Sequence, residues 1–171
     1  YGYEVLDYHI NDYLDINAKH DGWENVTFRD VFSMATGIGT GSHNVTPNNI
    51  GAGDASRPQN NAGFDAYMDW YFAPTLEEKL DEVFKVPSYP WGPGEHARYR
   101  DRDIFVGSAA LESLLREKEG EDADLWQMMV DEVYRPIGIR HISMTHTREK
   151  EKRGTPMLAW GIYVSIDDIA K

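Results

Sequence analysis

The residue types best suited to chemistry lie in one short stretch, where Tyr99 stands between two arginines and Asp101 follows two positions later. A phenol has an ordinary pKa near 10, and it becomes a useful base only where neighbouring cations favour its phenolate. Pro93 and Gly94 precede this stretch as a turn signal, and an apolar run begins at Ile104. One interpretation of this order is a tyrosine that transfers protons in the site of a hydrolase. The plainer alternative is a surface tyrosine, since the Tyr-x-Asp spacing occurs twice more in the chain.

The other residue types with chemical potential give weaker signals. The chain has no cysteine, which excludes disulfides, thiolate metal sites and cysteine nucleophiles. The six histidines are scattered, and the spacing of His141 and His146 suits neither a helix face nor a strand face. Gly37, Gly39 and Gly41 follow a predicted helix rather than a strand, so they indicate a helix end and not a phosphate loop. We therefore expect no metal and no cofactor.

The composition indicates one acidic globular domain. The 171 residues include 29 acidic and 17 basic side chains, giving a net charge of −12, and 41% of them are hydrophobic. Such a charge repels phosphate backbones and anionic membrane surfaces, so nucleic-acid binding is not expected. No run approaches the roughly 18 apolar residues of a membrane-spanning helix, so no span is expected either.

Helical periodicity dominates the chain, and the predicted fold class is mostly α. The first helix is predicted from Thr27 to a C-terminal Gly37, with Asp30 completing a capping box. Thr75 and Glu78 form a second capping box before an amphipathic run. Further helix starts are predicted at three polar residues that precede apolar periods, namely Asp103, Asp124 and Ser165.

Strand signals are few. Alternation of apolar and polar residues is visible only over 141–146 and 157–164, and neither pattern is strong. The Gly- and Asn-rich stretch 38–62 has almost no large apolar side chains, so it is expected to be the most mobile segment.

Four segments together resemble the serine β-lactamase-related hydrolases, the penicillin-binding-protein-like superfamily of class C β-lactamases, DD-peptidases and esterases. The string VTFRDVFSMATGIG (26–39) resembles a helix and turn of that family, and PGEHARYRDRDIFVGSAALESL (93–114) is similar to its PGTxFxYSN segment. LWQMMVDEVYRPIGIRHISMT (125–145) and LAWGIYVSIDDIAK (158–171) resemble two later segments, in the family's order.

The resemblance implies a fold and a site. Residues 1–171 correspond to a single fragment, the helical subdomain of an α+β domain, truncated at both ends and without most of the antiparallel sheet. Tyr99 takes the place of the family's Tyr and Asp101 that of the Asn in its Tyr-x-Asn element. The family's nucleophile is a Ser-x-x-Lys serine, and no Ser-x-x-Lys occurs in this sequence. We therefore expect the parent protein to be a serine hydrolase and the isolated chain to be inactive.

Asp101 is a departure from the family pattern. An ionised carboxylate can accept a hydrogen bond from a lysine, but it cannot donate one to a substrate amide. Its negative charge also opposes formation of a phenolate at Tyr99. The substitution disfavours β-lactam recognition more than ester or peptide hydrolysis.

The resemblance also implies partners and leaves two alternatives open. Expected partners are a small-molecule or peptidoglycan-like acyl substrate, the missing sheet subdomain of the same polypeptide, and a second copy bound through an uncovered apolar face. That face is expected on the Phe28/Phe32 helix or on the helix over 104–115. The family alone favours a periplasmic or extracellular location. The alternatives are a non-catalytic β-lactamase-like binding module and an unrelated helical interaction protein.

Overall fold

A computed structural model describes residues 2–15, 22–39, 69–86, 88–150 and 153–170. These residues form a mostly helical fold with one two-stranded antiparallel sheet, which confirms the predicted mostly-α class. Helices α1 to α5 span, in order, Phe28–Phe32, Leu76–Phe84, Asp101–Glu119, Leu125–Met129 and Ile166–Ile169. Strands β1 and β2 are Ile142–Met144 and Ile162–Val164. The shorter elements are the 3-10 turns Tyr3–Asp7, Ile10–Asp12 and Trp23–Asn25, the π-helical turn Val130–Tyr134, and a helical stretch at 69–72.

The side chains that begin the helices are largely those expected from the sequence. The Thr27 side chain accepts from the Asp30 backbone N–H, while the Asp30 carboxylate accepts from the Thr27 backbone N–H. Thr75 and Glu78 form the same reciprocal pair at the start of α2. Asp124 and Ser165 also accept from backbone N–H groups at the starts of α4 and α5. These bonds satisfy N–H groups that a helix leaves without partners in its first turn.

Two predicted helix boundaries are wrong. Helix α1 ends at Phe32, five residues before Gly37, because Met34 adopts a left-handed conformation with φ 53°. Helix α3 begins at Asp101, so Asp103 lies inside its first turn and does not cap it. The Asp103 carboxylate accepts instead from a side chain outside the helix, described below.

The core lies where α1 packs across the N-terminal half of α3. Phe28 and Val31 of α1 are fully buried, as are Phe105 and Val106 of α3. Gly107 permits this close approach, since a Cβ at that position would lie 2.9 Å from side-chain atoms of α1. The two helices cover each other, and the expectation of an uncovered apolar face on either of them is therefore wrong.

Exposed apolar side chains are concentrated instead near the C-terminal end of the described chain. On β2, Ile162 is 47% exposed and Tyr163 is 64% exposed, and on α5 the values are 82% for Ile166 and 70% for Ile169. We call these four residues the β2–α5 patch. Ile166 and Ile169 are three positions apart and therefore lie on one side of α5, and exposed apolar side chains grouped in this way mark a surface that can bind another protein or another part of the same chain.

The two short strands join distant parts of the chain. Ile142 pairs with Val164, and Met144 pairs with Ile162, in antiparallel register. Asp168 of α5 secures this region, since its buried carboxylate accepts from the His141 backbone N–H at 2.8 Å. The weak strand signals at 141–146 and 157–164 therefore correspond to real strands, each only three residues long.

Two expectations concern features outside these elements. The predicted mobile segment 38–62 falls almost entirely outside the described residues, which resume at 69 after residue 39. Within the described ranges, no helix is both long enough and apolar enough to cross a membrane.

Candidate functional site

The turn after α1 and the loop before α3 are joined by backbone hydrogen bonds. The Gly37 carbonyl accepts from the Tyr89 N–H at 2.7 Å, and the Ala35 carbonyl accepts from the Gly94 N–H at 2.8 Å. Gly37 has φ 71°, and a Cβ there would lie 2.8 Å from the Trp91 carbonyl oxygen. Only glycine fits such a position without displacing the neighbouring backbone. The turn over 34–39 therefore sets the course of the loop that carries Tyr99.

Tyr99 lies between two further hydrogen bonds, both of which involve Met34. The Met34 carbonyl accepts from the Arg98 N–H at 2.7 Å, and the Met34 sulfur accepts from the Arg100 N–H at 3.3 Å. The backbone on either side of Tyr99 is thus fixed, while its side chain remains 62% exposed. The chain therefore presents the Tyr99 ring to solvent from a backbone that Met34 holds on both sides.

The phenol of Tyr99 and the carboxylate of Asp101 interact directly. A side-chain hydrogen bond to Asp101, together with the charge of that carboxylate and slight burial, raises the pKa of Tyr99 above its ordinary value. The direction agrees with the expectation that Asp101 opposes a phenolate. With these neighbours alone, Tyr99 is a neutral phenol that keeps its proton and donates a hydrogen bond to the Asp101 carboxylate. A base at Tyr99 would need a cation that lowers its pKa, and no cation is among the causes of the shift.

A buried charged cluster, which the sequence did not suggest, follows Tyr99 directly in the chain. Arg100, Arg102 and Asp103 are 3%, 4% and 2% exposed. The Thr36 hydroxyl donates to the Asp103 carboxylate at 3.0 Å, across the same contact between turn and loop. Burial raises the pKa of Asp103 to about 6, even though Arg100, Thr36 and Arg102 all act to lower it. This group connects the Tyr99 loop to the core by charge as well as by backbone hydrogen bonds.

Aromatic rings support the same cluster. The Arg100 guanidinium lies over the Tyr89 ring, 4.6 Å from its centroid, and Tyr89 stacks on Trp91 with centroids 4.3 Å apart. An arginine can be buried in this way because its planar, weakly hydrated head stacks on aromatic faces. The one sequence signal was the pair of aromatic residues before Pro93, but the sequence did not indicate that they stack beneath Arg100.

A separate cleft of about 470 Å³ lies between α2 and three residues near the C-terminal end, Glu149, Arg153 and Thr155. Its walls carry both acidic and basic side chains, among them Asp81, Glu149, Arg116 and Arg153. Neither Tyr99 nor Asp101 lines it. Across the described ranges, no group of three or more His, Asp or Glu side chains is placed to hold a metal ion.

The chain matches no protein-family model and no curated protein. Any assignment of function therefore depends on the residues and their geometry. The structure brings Tyr99 and Asp101 together, and it places segments 26–39, 93–114, 125–145 and 158–170 in two contacting pairs. Segment 26–39 holds segment 93–114, and β1 within 125–145 pairs with β2 within 158–171.

Proposed function

We propose that this chain is the helical part of a β-lactamase-like serine hydrolase, which transfers an acyl group to a serine and then to water. The observation that carries the proposal is the position of Tyr99. It is exposed, it is held by hydrogen bonds on both sides, and it lies where two of the resembling segments meet. A random surface tyrosine needs no such support.

The chemistry requires a nucleophile that this sequence does not contain, since it has no Ser-x-x-Lys. In the proposed full-length enzyme, the lysine of that motif lies beside the phenol and offsets the raised pKa that Asp101 causes at Tyr99. Tyr99 then accepts the serine proton as the serine oxygen attacks the acyl carbon. It returns this proton to the leaving group when the acyl–heteroatom bond breaks. A water molecule then attacks the acyl-serine. Tyr99 accepts its proton and returns it to the serine oxygen, and the acid is released.

The substrate class follows from Asp101. A carboxylate at this position cannot donate to the amide that flanks a β-lactam ring. We therefore propose an ester or a peptide, including peptidoglycan-like peptides, as the acyl donor. Replacing Asp101 with Asn restores a donor and should increase turnover of amide-bearing substrates relative to simple esters.

A second candidate is a non-catalytic binding module with the same fold. The raised pKa of Tyr99 favours it, because a neutral phenol hydrogen-bonded to Asp101 is suited to contacting a ligand and not to accepting a proton. The two candidates differ in whether the full-length protein contains a serine that reacts with acylating reagents.

The test compares the full-length protein with its Tyr99→Phe variant by fluorophosphonate labelling and by kcat/KM on an activated ester. Loss of a general base lowers the rate by about 10²–10⁴-fold, and Phe keeps the ring. Tyr163→Phe is a matched control, because Tyr163 is 64% exposed and Tyr99 is 62% exposed. Labelling with a rate loss only in Tyr99→Phe supports the enzyme. If the full-length protein is not labelled, the binding module is the correct candidate.

A further inference from the structure

We propose that Met34 is a positioning residue for Tyr99, and that its thioether sulfur and its left-handed backbone act together to hold the phenol in place. This inference rests on the proposed function for its consequence in catalysis. The contact itself can be tested without any activity.

The first argument is the geometry of the two hydrogen bonds. Arg98 and Arg100 flank Tyr99 directly, so the partners of their backbone N–H groups fix the chain on both sides of it. Both N–H groups donate to Met34. The Arg98 N–H donates to its carbonyl oxygen at 2.7 Å, and the Arg100 N–H donates to its sulfur at 3.3 Å. One residue therefore holds both neighbours of Tyr99.

The second argument is the residue type at this turn. A left-handed position after a helix is ordinarily occupied by Gly, or sometimes by Asn, because other side chains are strained there. Met34 has φ 53°. Gly37, three residues later in the same turn, has φ 71°, so the turn uses glycine at its other left-handed position. A methionine at the strained position is explained if its side chain is needed. The side chain is needed because its sulfur accepts a hydrogen bond from the Arg100 N–H.

The third argument is what loss of the sulfur would do. Arg100 is the residue before α3, and its side chain is 3% exposed. A backbone N–H at such a place has little access to water and needs a partner inside the protein. Without the sulfur, the segment 98–100 keeps one bond to Met34 instead of two. Tyr99 and Asp101 can then move relative to each other, and their shared hydrogen bond weakens.

The decisive experiment is titration of Tyr99 by NMR in the isolated 171-residue chain, where Asp101 raises the pKa of Tyr99 and no Ser-x-x-Lys lysine offsets the shift. The label is ¹³C at the tyrosine ζ carbons, and Tyr99→Phe assigns the signal. Met34→Leu removes the sulfur but keeps a similar volume. We expect its Tyr99 midpoint to fall from the raised value toward the roughly 10 of a free phenol. Met34→Gln provides an acceptor at similar reach, and we expect it to restore the wild-type midpoint. Met157→Leu makes the same chemical change at a buried site elsewhere and leaves the midpoint unchanged.

Kinetics on an activated ester give the second readout. Slight misplacement of a reacting group can cost up to about 100-fold in rate, so we expect Met34→Leu to lower kcat about 10-fold or more with little change in KM. An unchanged Tyr99 midpoint in Met34→Leu, measured on a folded variant, overturns the proposal. A different outcome is that the Tyr99 midpoint falls in Met34→Leu while the rates of Met34→Leu and Tyr99→Phe both stay at wild type. This outcome upholds Met34 as the positioning residue. That last result refutes only the proposed hydrolase function.

Discussion

Tyr99 and Asp101 show how one carboxylate alters the chemistry of a neighbouring phenol. The hydrogen bond and the charge of the Asp101 carboxylate both hold the proton on the phenol. An Asn at that position would remove the charge and keep a hydrogen-bonding partner. The difference between the two residues is therefore electrostatic, and it bears on which protonation state of Tyr99 is favoured.

Asp103 gives the clearest pH dependence at the residue scale. Its pKa is raised to about 6 in the folded chain, whereas an unfolded Asp titrates near 4. The folded state thus holds the proton more tightly. The stability that this group contributes is fully present below about pH 4 and is lost as the pH rises through about 6.

We predict that Asp103→Asn removes this dependence. Between about pH 4 and about pH 6, titration of Asp103 should lower the wild-type free energy of unfolding by at most about 1.4 kcal/mol per pH unit. The Asn variant should lack this decrease. Urea unfolding at several pH values between 4 and 7 measures the difference in slope. Asp122→Asn, at an exposed turn, is the control and should keep the wild-type slope. Parallel curves for wild type and Asp103→Asn would show that Asp103 does not bind this proton.

At the scale of the element, the starts of α1 and α2 depend on capping boxes. The hydroxyl of Thr75 accepts from the Glu78 N–H, and the Glu78 carboxylate accepts from the Thr75 N–H. We predict that Thr75→Ala lowers the free energy of unfolding by about 1 kcal/mol, the usual cost of losing a cap. Thr75→Ser retains the hydroxyl and should remain close to wild type. Equal losses in the two variants, measured by urea unfolding, would contradict a role for the hydroxyl.

The same elements show what the sequence could predict and what it could not. Capping residues act on N–H groups two or three positions away, so local spacing was enough to find Thr27, Thr75, Asp124 and Ser165. The end of α1 and the start of α3 were misplaced because distant contacts set them. Met34 turns out of the helix toward Arg98 and Arg100, and Asp103 binds Thr36. Periodicity carries no information on such partners.

The candidate site shows the same limit. Tyr99 and Asp101 could be named from the sequence because they lie two positions apart within one segment. The buried cluster beneath them could not, since arginines and aspartates in a polar stretch ordinarily lie at the surface. Their burial depends on Tyr89 and on the turn after α1, which the spacing of charges does not reveal.

At the scale of the whole molecule, the β2–α5 patch is the surface best placed to bind a second copy or another part of the polypeptide. Ile166 and Ile169 are 82% and 70% exposed. We predict that the isolated chain self-associates, and that the double variant Ile166→Gln, Ile169→Gln associates less in sedimentation velocity. Its stability should change by less than about 0.5 kcal/mol, as is usual for exposed positions.

Tyr3→Gln is the control for that variant, because Tyr3 is 89% exposed and lies at the other end of the chain. It should leave the association unchanged. If wild type and the double variant sediment alike as monomers, the expectation of a homodimer is wrong. The patch would then be a surface that the isolated chain tolerates without a partner.

The contacts that hold Tyr99 also have a consequence for the order of folding. Met34 and Arg100 are 66 positions apart in the chain, and Thr36 and Asp103 are 67 apart. Contacts between such distant residues form slowly, because the entropy of closing a long loop is lost before any contact compensates for it. Helix α3, in contrast, forms through hydrogen bonds between residues that are only one turn apart. We expect a refolding chain to acquire its helices first and the surroundings of Tyr99 last, so that the interaction between Tyr99 and Asp101 is recovered later than helical structure.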